Sequence, residues 1–182
     1  EARYGEDDNG ILVLRAKTGD IFTAQRLTAI AELVERLWHT PFVKRVDSPT
    51  NFQIAAGDAE GIHIDQTWRL GDPTGPEDLA RTRARALGEP LLRGRLLSAD
   101  GATAIAVVSL RMPAEARDGD TARVLQFLRE EAAVFRAAHP DFTVGVSGSI
   151  ALDEAFGEAS ARDGALLTPL MFAVMLALLG AL

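Results

Sequence analysis

Three histidines, a Ser147-Gly148-Ser149 turn and a group of carboxylates near residue 160 are the side chains of this 182-residue sequence whose types suit chemistry. His39 and His139 each follow an apolar-periodic stretch, where an imidazolium complements the C-terminal end of a helix dipole. His63 and Asp65 alternate onto one face of a short strand, but two ligands fall short of the three or four a zinc site uses. Ser147 and Ser149 follow a strand without the G-x-S-x-G spacing of a nucleophile elbow or the lysine of a phosphate loop. Gly148 therefore reads as a residue required by a tight strand-to-helix turn. Asp153, Glu154, Glu158 and Asp163 are spaced for one helical surface and read as a solvated or interfacial face. Arg81, Arg83 and Arg85 read as the exposed side of a helix, and Trp68 and the phenylalanines as core. No catalytic constellation is expected, no cofactor and no metal site, so the sequence reads as a non-enzyme.

Composition narrows the partners. Nineteen basic against 26 acidic residues give a net charge of −7, which disfavours nucleic acid and an anionic lipid surface. The absence of cysteine removes disulfides and thiolate ligands. With 47% hydrophobic and 25% charged residues, the chain has the make-up of a folded domain. It shows no initiating Met and no signal peptide, and is read as a segment of something longer.

Charge is distributed very unevenly. Every Asp, Glu, Lys and Arg lies between Glu1 and Asp163, and the 19 residues from Gly164 to Leu182 carry none. As a helix this run would span about 28 Å, close to the hydrocarbon thickness of a bilayer. Its Leu, Phe and Val residues favour insertion by about 4 kcal/mol, less what Gly164, Thr168 and Pro169 return. The apolar residues occupy every helical face, which suits lipid or a fully buried helix. The run has no polar flank at Leu182, as if it ended inside a span.

The elements that position these residues follow from periodicity. A polar lead-in covers residues 1–9, and Ile11–Ala16 is an expected strand. Thr23 is placed to cap a helix whose apolar stripe is Leu27, Ile30, Leu33, Val34, Leu37 and Trp38, ending near Thr40-Pro41. Phe42–Asp47 is a second strand. Residues 50–90 form an irregular insert, with a short strand over Gly61–Trp68 and a helix over Pro76–Leu87. Leu91–Leu97 and Thr103–Met112 are expected to pair around Ala99-Asp100-Gly101. Asp120 or Thr121 caps a second long helix with Val124, Leu125, Leu128, Ala132 and Phe135 on one face. Phe142–Val146 is the last strand, and from Ile150 a helical pattern runs into the uncharged tail. The order, β-α-β, insert, β-β-α-β, predicts an α+β fold of the ferredoxin-like split βαβ type.

In this order the segments resemble the first large extracytoplasmic loop of resistance-nodulation-division (RND) superfamily exporters, in the MMPL-like branch. The resemblance rests on Ile21-Phe22-Thr23, Phe42–Ser48 with Thr50-Asn51-Phe52-Gln53, and Glu89-Pro90-Leu91-Leu92 with Gly94–Gly101. It also rests on Ala155-Phe156 with Glu158-Ala159-Ser160, and on Asp163 leading into Leu167–Phe172. Pro49 and Ile54-Ala55-Ala56 depart from that pattern. The resemblance implies a porter domain over residues 1–163 on the extracytoplasmic (periplasmic) side of the inner or plasma membrane, and the start of a transmembrane helix over 164–182. It implies a proton-driven exporter of lipids or other hydrophobic molecules, partnered by the bilayer and by a second porter loop and membrane helices of the same parent chain. Asn51, Phe52, Trp68 and Phe156 are then candidates for the substrate pathway, and Gly148, Gly157, Gly164 and Pro169 for flexing or coupling. The competing reading is a ferredoxin-like binding or regulatory module whose C-terminal helix is buried.

Overall fold

The computed structural model of the chain describes residues 8–58, 61–112 and 118–180, so residues 1–7 of the expected lead-in lie outside it. Four strands form the main sheet: β1 (Asn9–Ala16), β2 (Val43–Asp47), β5 (Thr103–Leu110) and β6 (Phe142–Ser147). Two further strands, β3 (Gln53–Asp58) and β4 (Gly61–Gln66), make a separate hairpin. The helices are α1 (Ala24–Leu37), α2 (Pro76–Gly88), α3 (Asp118–Ala138) and α4 (Ser149–Gly180). The main sheet is antiparallel throughout, in the order β2-β5-β1-β6.

Alternation decides which way the sheet faces. Leu12, Leu14 and Ala16 of β1 are buried, as are Ala104, Ala106, Val108 and Leu110 of β5. The register places Leu12 opposite Ala106 on one side and Val146 on the other. These residues share one core with Leu27, Ile30, Leu33, Val34 and Leu37 of α1 and with Val124, Leu125, Leu128, Ala132 and Phe135 of α3. Each fully buried Leu, Ile or Phe contributes about 1.5–3 kcal/mol. Phe135 and Phe142 meet edge to face at 5.3 Å, tying α3 to the start of β6.

Local chemistry fixes the corners. The Thr23 hydroxyl accepts the Arg26 backbone N–H at 3.3 Å, the expected cap of α1. From the first turn of α1 the Arg26 guanidinium donates to the Thr18 and Asp20 carbonyls and, at 2.9 Å, to the Asp141 carboxylate. It lies 5.8 Å from the Phe142 ring centroid. One cation thus gathers the β1–α1 loop and the α3–β6 corner. The Asp100 carboxylate accepts the Ser98 hydroxyl and the Ala102 N–H, and these bonds hold its pKa below the ordinary carboxylate value. Because the folded state lowers this pKa, the bonds favour folding above the unfolded value and are lost as pH falls through the folded one.

Three expectations are corrected. Leu91–Leu97 is not a strand: the Leu92 carbonyl gathers the N–H groups of Arg95, Leu96 and Leu97, and Gly94 takes φ +86°. Leu92, Leu96 and Leu97 are buried from a series of turns while Leu91 stays exposed, and isolated bridges join Leu97 to Arg93 and to Ala104. Asp120 and Thr121 lie within α3, which has begun by Asp118. Trp38 leaves the buried stripe of α1: it is the C-cap residue and is 43% exposed. The insert proves to be part of the core, to which it contributes Ile54, Trp68 and Ala86.

Residues 164–180 of the uncharged tail form the C-terminal half of α4, a helix of 32 residues that continues through Gly157, Gly164 and Pro169. Its first turn is built into the sheet layer, with Ile150 buried. Farther along, Leu167, Met171, Phe172, Met175, Leu176 and Leu179 are exposed. Among the described residues no helix is long and apolar enough to cross a membrane. Residues 164–180 of the expected membrane segment are helical, as one end of a longer helix that also carries the charged residues up to Asp163.

Candidate functional site

A cleft of about 520 Å³ opens between the end of α1, strand β2 and the β3–β4 hairpin. Its walls are Glu35 and Trp38 from α1, Arg45, Val46 and Asp47 from β2, Asn51 and Phe52 from the following turn, and Gln53 and Gln66 from the hairpin. A smaller recess of about 180 Å³ shares Glu35, Asn51 and Gln66 with it and reaches Trp68.

The turn that shapes the cleft is held by buried polar groups. Ser48 and Thr50 are buried, and their hydroxyls lie 2.8 Å apart. The Asn51 side-chain oxygen accepts the Ser48 N–H at 2.8 Å, and its amide nitrogen donates to the Val46 carbonyl at 2.8 Å. Asn51 therefore lines the cleft with its amide already committed, and its role is to fix the turn. Val46 belongs to an edge strand, so this bond also covers an outward carbonyl. At the other edge Arg136 donates to the Val144 carbonyl. The ends of the hairpin close through Thr67 N–H to the Phe52 carbonyl and Trp68 N–H to the Thr50 carbonyl.

Of the four pathway candidates, the structure brings three together. Asn51 and Phe52 line the cleft, and Trp68 lies behind it, 2% exposed. The buried Trp68 indole N–H has no acceptor among the described residues, an arrangement that costs about 1–3 kcal/mol when left unmet. Phe156 stands apart on α4, 70% exposed and outside the cleft lining, and with the exposed Phe172 it departs from the expectation that the phenylalanines are core. Glu35, Trp38, Arg45 and Gln66 were not singled out by sequence. Only Trp38 carries a signal, as an aromatic residue next to a helix stop.

The remaining candidates fall where local chemistry puts them. His39 follows α1 with its Nδ1 3.3 Å from the Arg36 carbonyl, and His139 follows α3 with its ring 4.7 Å from that of Phe135. His63 lies in β4, and its side chain is outside the described residues, as are those of Glu158 and Asp163. Asp153 is exposed and Glu154 half-buried. Among the described residues no group of three or more His, Asp or Glu side chains could hold a metal. The arginines of α2 do more than face solvent: Arg81 pairs with Asp78, Arg83 reaches Asp20 at 2.8 Å, and Arg85 points to the Ile54 carbonyl.

Gly148 has φ +115°, and a Cβ there would stand 2.4 Å from the Asn9 carbonyl oxygen. Beside it Asn9 N–H donates to the Ser149 hydroxyl at 2.9 Å, and Ser149 N–H donates to the Asn9 side-chain oxygen at 3.2 Å. The start of β1 and the start of α4 are thus laced together. Ser147-Gly148-Ser149 is a joint, as expected of a tight turn.

A family model described as the MMPL family matches residues 2–182. The chain belongs to the MMPL family. No curated protein matches it. Membership makes it part of a membrane protein and supports an RND/MMPL-type exporter domain. The MMPL match takes in both the sheet layer and the apolar end of α4, so the two belong to a single family unit.

Proposed function

We propose that this MMPL chain is an extracytoplasmic porter module of a proton-driven exporter of lipids or other hydrophobic molecules. In this reading residues 1–163 stand in water on the periplasmic side, residues 164–182 enter the bilayer, and the cleft beside α1 is part of the substrate path. The carrying observation is α4: one helix begins in the laced joint at Ser149 and ends as an uncharged run with exposed apolar side chains. Such side chains have a favourable environment in acyl chains and an unfavourable one in water. The β2-β5-β1-β6 order, with α1 and α3 packed on one face, supports the split βαβ reading of the module. Gly164–Leu182 holds no acidic residue, so proton-carrying groups belong to other membrane helices of the parent. The module itself performs no covalent chemistry.

The competing module with a buried C-terminal helix is disfavoured by the exposure of Phe172 at 53% and Leu176 at 65%. Sidedness is tested by labelling. The chain has no cysteine, so single cysteines can be placed at will. In right-side-out vesicles carrying the parent protein, an impermeant maleimide is expected to label Ala99→Cys and to spare Met175→Cys. Labelling of Ala99→Cys only after permeabilisation would overturn the periplasmic placement.

A further inference from the structure

The charge and aromatic content of the cleft select a kind of ligand. Asp47 is paired with Arg45 at 2.7 Å, so their charges cancel locally. Glu35, exposed on the last turns of α1, has no ion-pair partner among the described residues and leaves the cleft one negative charge in excess. Trp38 follows it by three residues, a spacing that puts both side chains on one helix face about 5–6 Å apart at Cβ. Phe52 contributes a second aromatic wall. The amides of Gln53 and Gln66 add hydrogen-bonding capacity without charge. An indole left 43% exposed in a cavity of ligand size is a surface awaiting cover. A cation over an indole face is attracted by the ring quadrupole, and a nearby carboxylate adds to that attraction.

We propose that this cleft binds an organic ammonium headgroup, with Trp38 and Phe52 as aromatic walls and Glu35 as the counter-charge. The proposal rests on the reading of the cleft as part of the substrate path and names the headgroup that path accepts: an alkylammonium carried on a hydrophobic body. Anionic headgroups are disfavoured by the same excess charge. Arg45 acts indirectly, by holding Asp47 neutralised.

The test uses the whole chain in a nonionic detergent and two water-soluble probes. One is choline; the other is its uncharged carbon isostere, in which a tert-butyl group replaces trimethylammonium. Calorimetry is expected to show saturable choline binding, at least about tenfold tighter than the isostere. Glu35→Gln is expected to weaken choline binding by about tenfold, and Trp38→Ala by a similar factor. Arg45→Gln is expected to act in the opposite direction, tightening it by about threefold, since it releases the Asp47 charge. Circular dichroism confirms that each variant is folded; Glu35 is exposed and its side chain bonds to none of the described residues, so this variant carries the test if Trp38→Ala does not fold. Equal binding of the two probes would overturn the ammonium assignment while leaving a ligand cleft in place. Absence of choline binding, indifference to Glu35→Gln, or weakening by Arg45→Gln would each overturn it as well. The vesicle labelling reads the porter placement independently, so failure of the two ideas is distinguishable.

Discussion

Ala173→Lys is expected to lower partitioning of the chain into lipid vesicles by about 100-fold. Ala173 is the midpoint of the uncharged run Gly164–Leu182. A lysine at the centre of a spanning helix costs about 2.5–3.5 kcal/mol, and the run's apolar residues favour insertion by about 4 kcal/mol. One ammonium therefore removes most of the driving force. Flotation with neutral phosphatidylcholine vesicles measures the effect, with Ala173→Leu as the control that stays bound. A tail that instead completed a protein core would respond differently. The lysine would leave vesicle association untouched and unfold the domain, visible as loss of the thermal transition. Unchanged flotation of a folded Ala173→Lys variant would contradict a membrane-seated α4.

Gly148→Ala is expected to destabilise the folded domain by about 3 kcal/mol. Two causes act together. At φ +115° an L side chain is strained, and the new Cβ would lie 2.4 Å from the Asn9 carbonyl oxygen, a backbone atom that cannot swing aside. Relief requires β1 to part from the start of α4, which breaks the reciprocal Asn9–Ser149 bonds. In a domain of this size the loss lowers the melting temperature by roughly 6–12 °C. Gly157→Ala provides the contrast: Gly157 lies within α4 with open space around its Cβ position, and alanine there is expected to stabilise by about 0.5–1 kcal/mol. Thermal melts of the two variants in the same detergent check both values. An unaltered melt for Gly148→Ala would show that the joint yields freely, and would remove the rigid link between tail and sheet.

Strands β1 and β5 and helices α1 and α3 were legible because each satisfies its hydrophobic period within its own segment. Leu12, Leu14 and Ala16 alternate, and Leu27, Ile30, Leu33, Val34 and Leu37 follow helical spacing; all are buried. Gly148 was legible as a turn because a strand pattern meets a helix pattern there. Strand β3 was not, since Ile54-Ala55-Ala56-Gly57 has weak strand propensity and is held by its pairing with β4. Leu91–Leu97 misled because two Leu pairs look like a strand, whereas a positive φ at Gly94 and a shared Leu92 carbonyl fold them into turns. The cleft was only half legible. Asn51, Phe52 and Trp68 came from one stretch of chain, but Glu35 and Trp38 join them from α1, and only the packing of that helix beside the hairpin makes them neighbours.

The depth of α4 in a bilayer is the measurement that bears most directly on the whole account. Single spin labels at Asp153, Leu167, Phe172 and Leu176, in the cysteine-free chain reconstituted into vesicles, report collision with oxygen, which concentrates in lipid, and with a water-soluble nickel complex. Nickel contact is expected to dominate at Asp153, and oxygen contact to rise through Leu167 to Phe172 and Leu176. Nickel contact that stays high along the entire helix, or shielding from both reagents at Phe172 and Leu176, would contradict it.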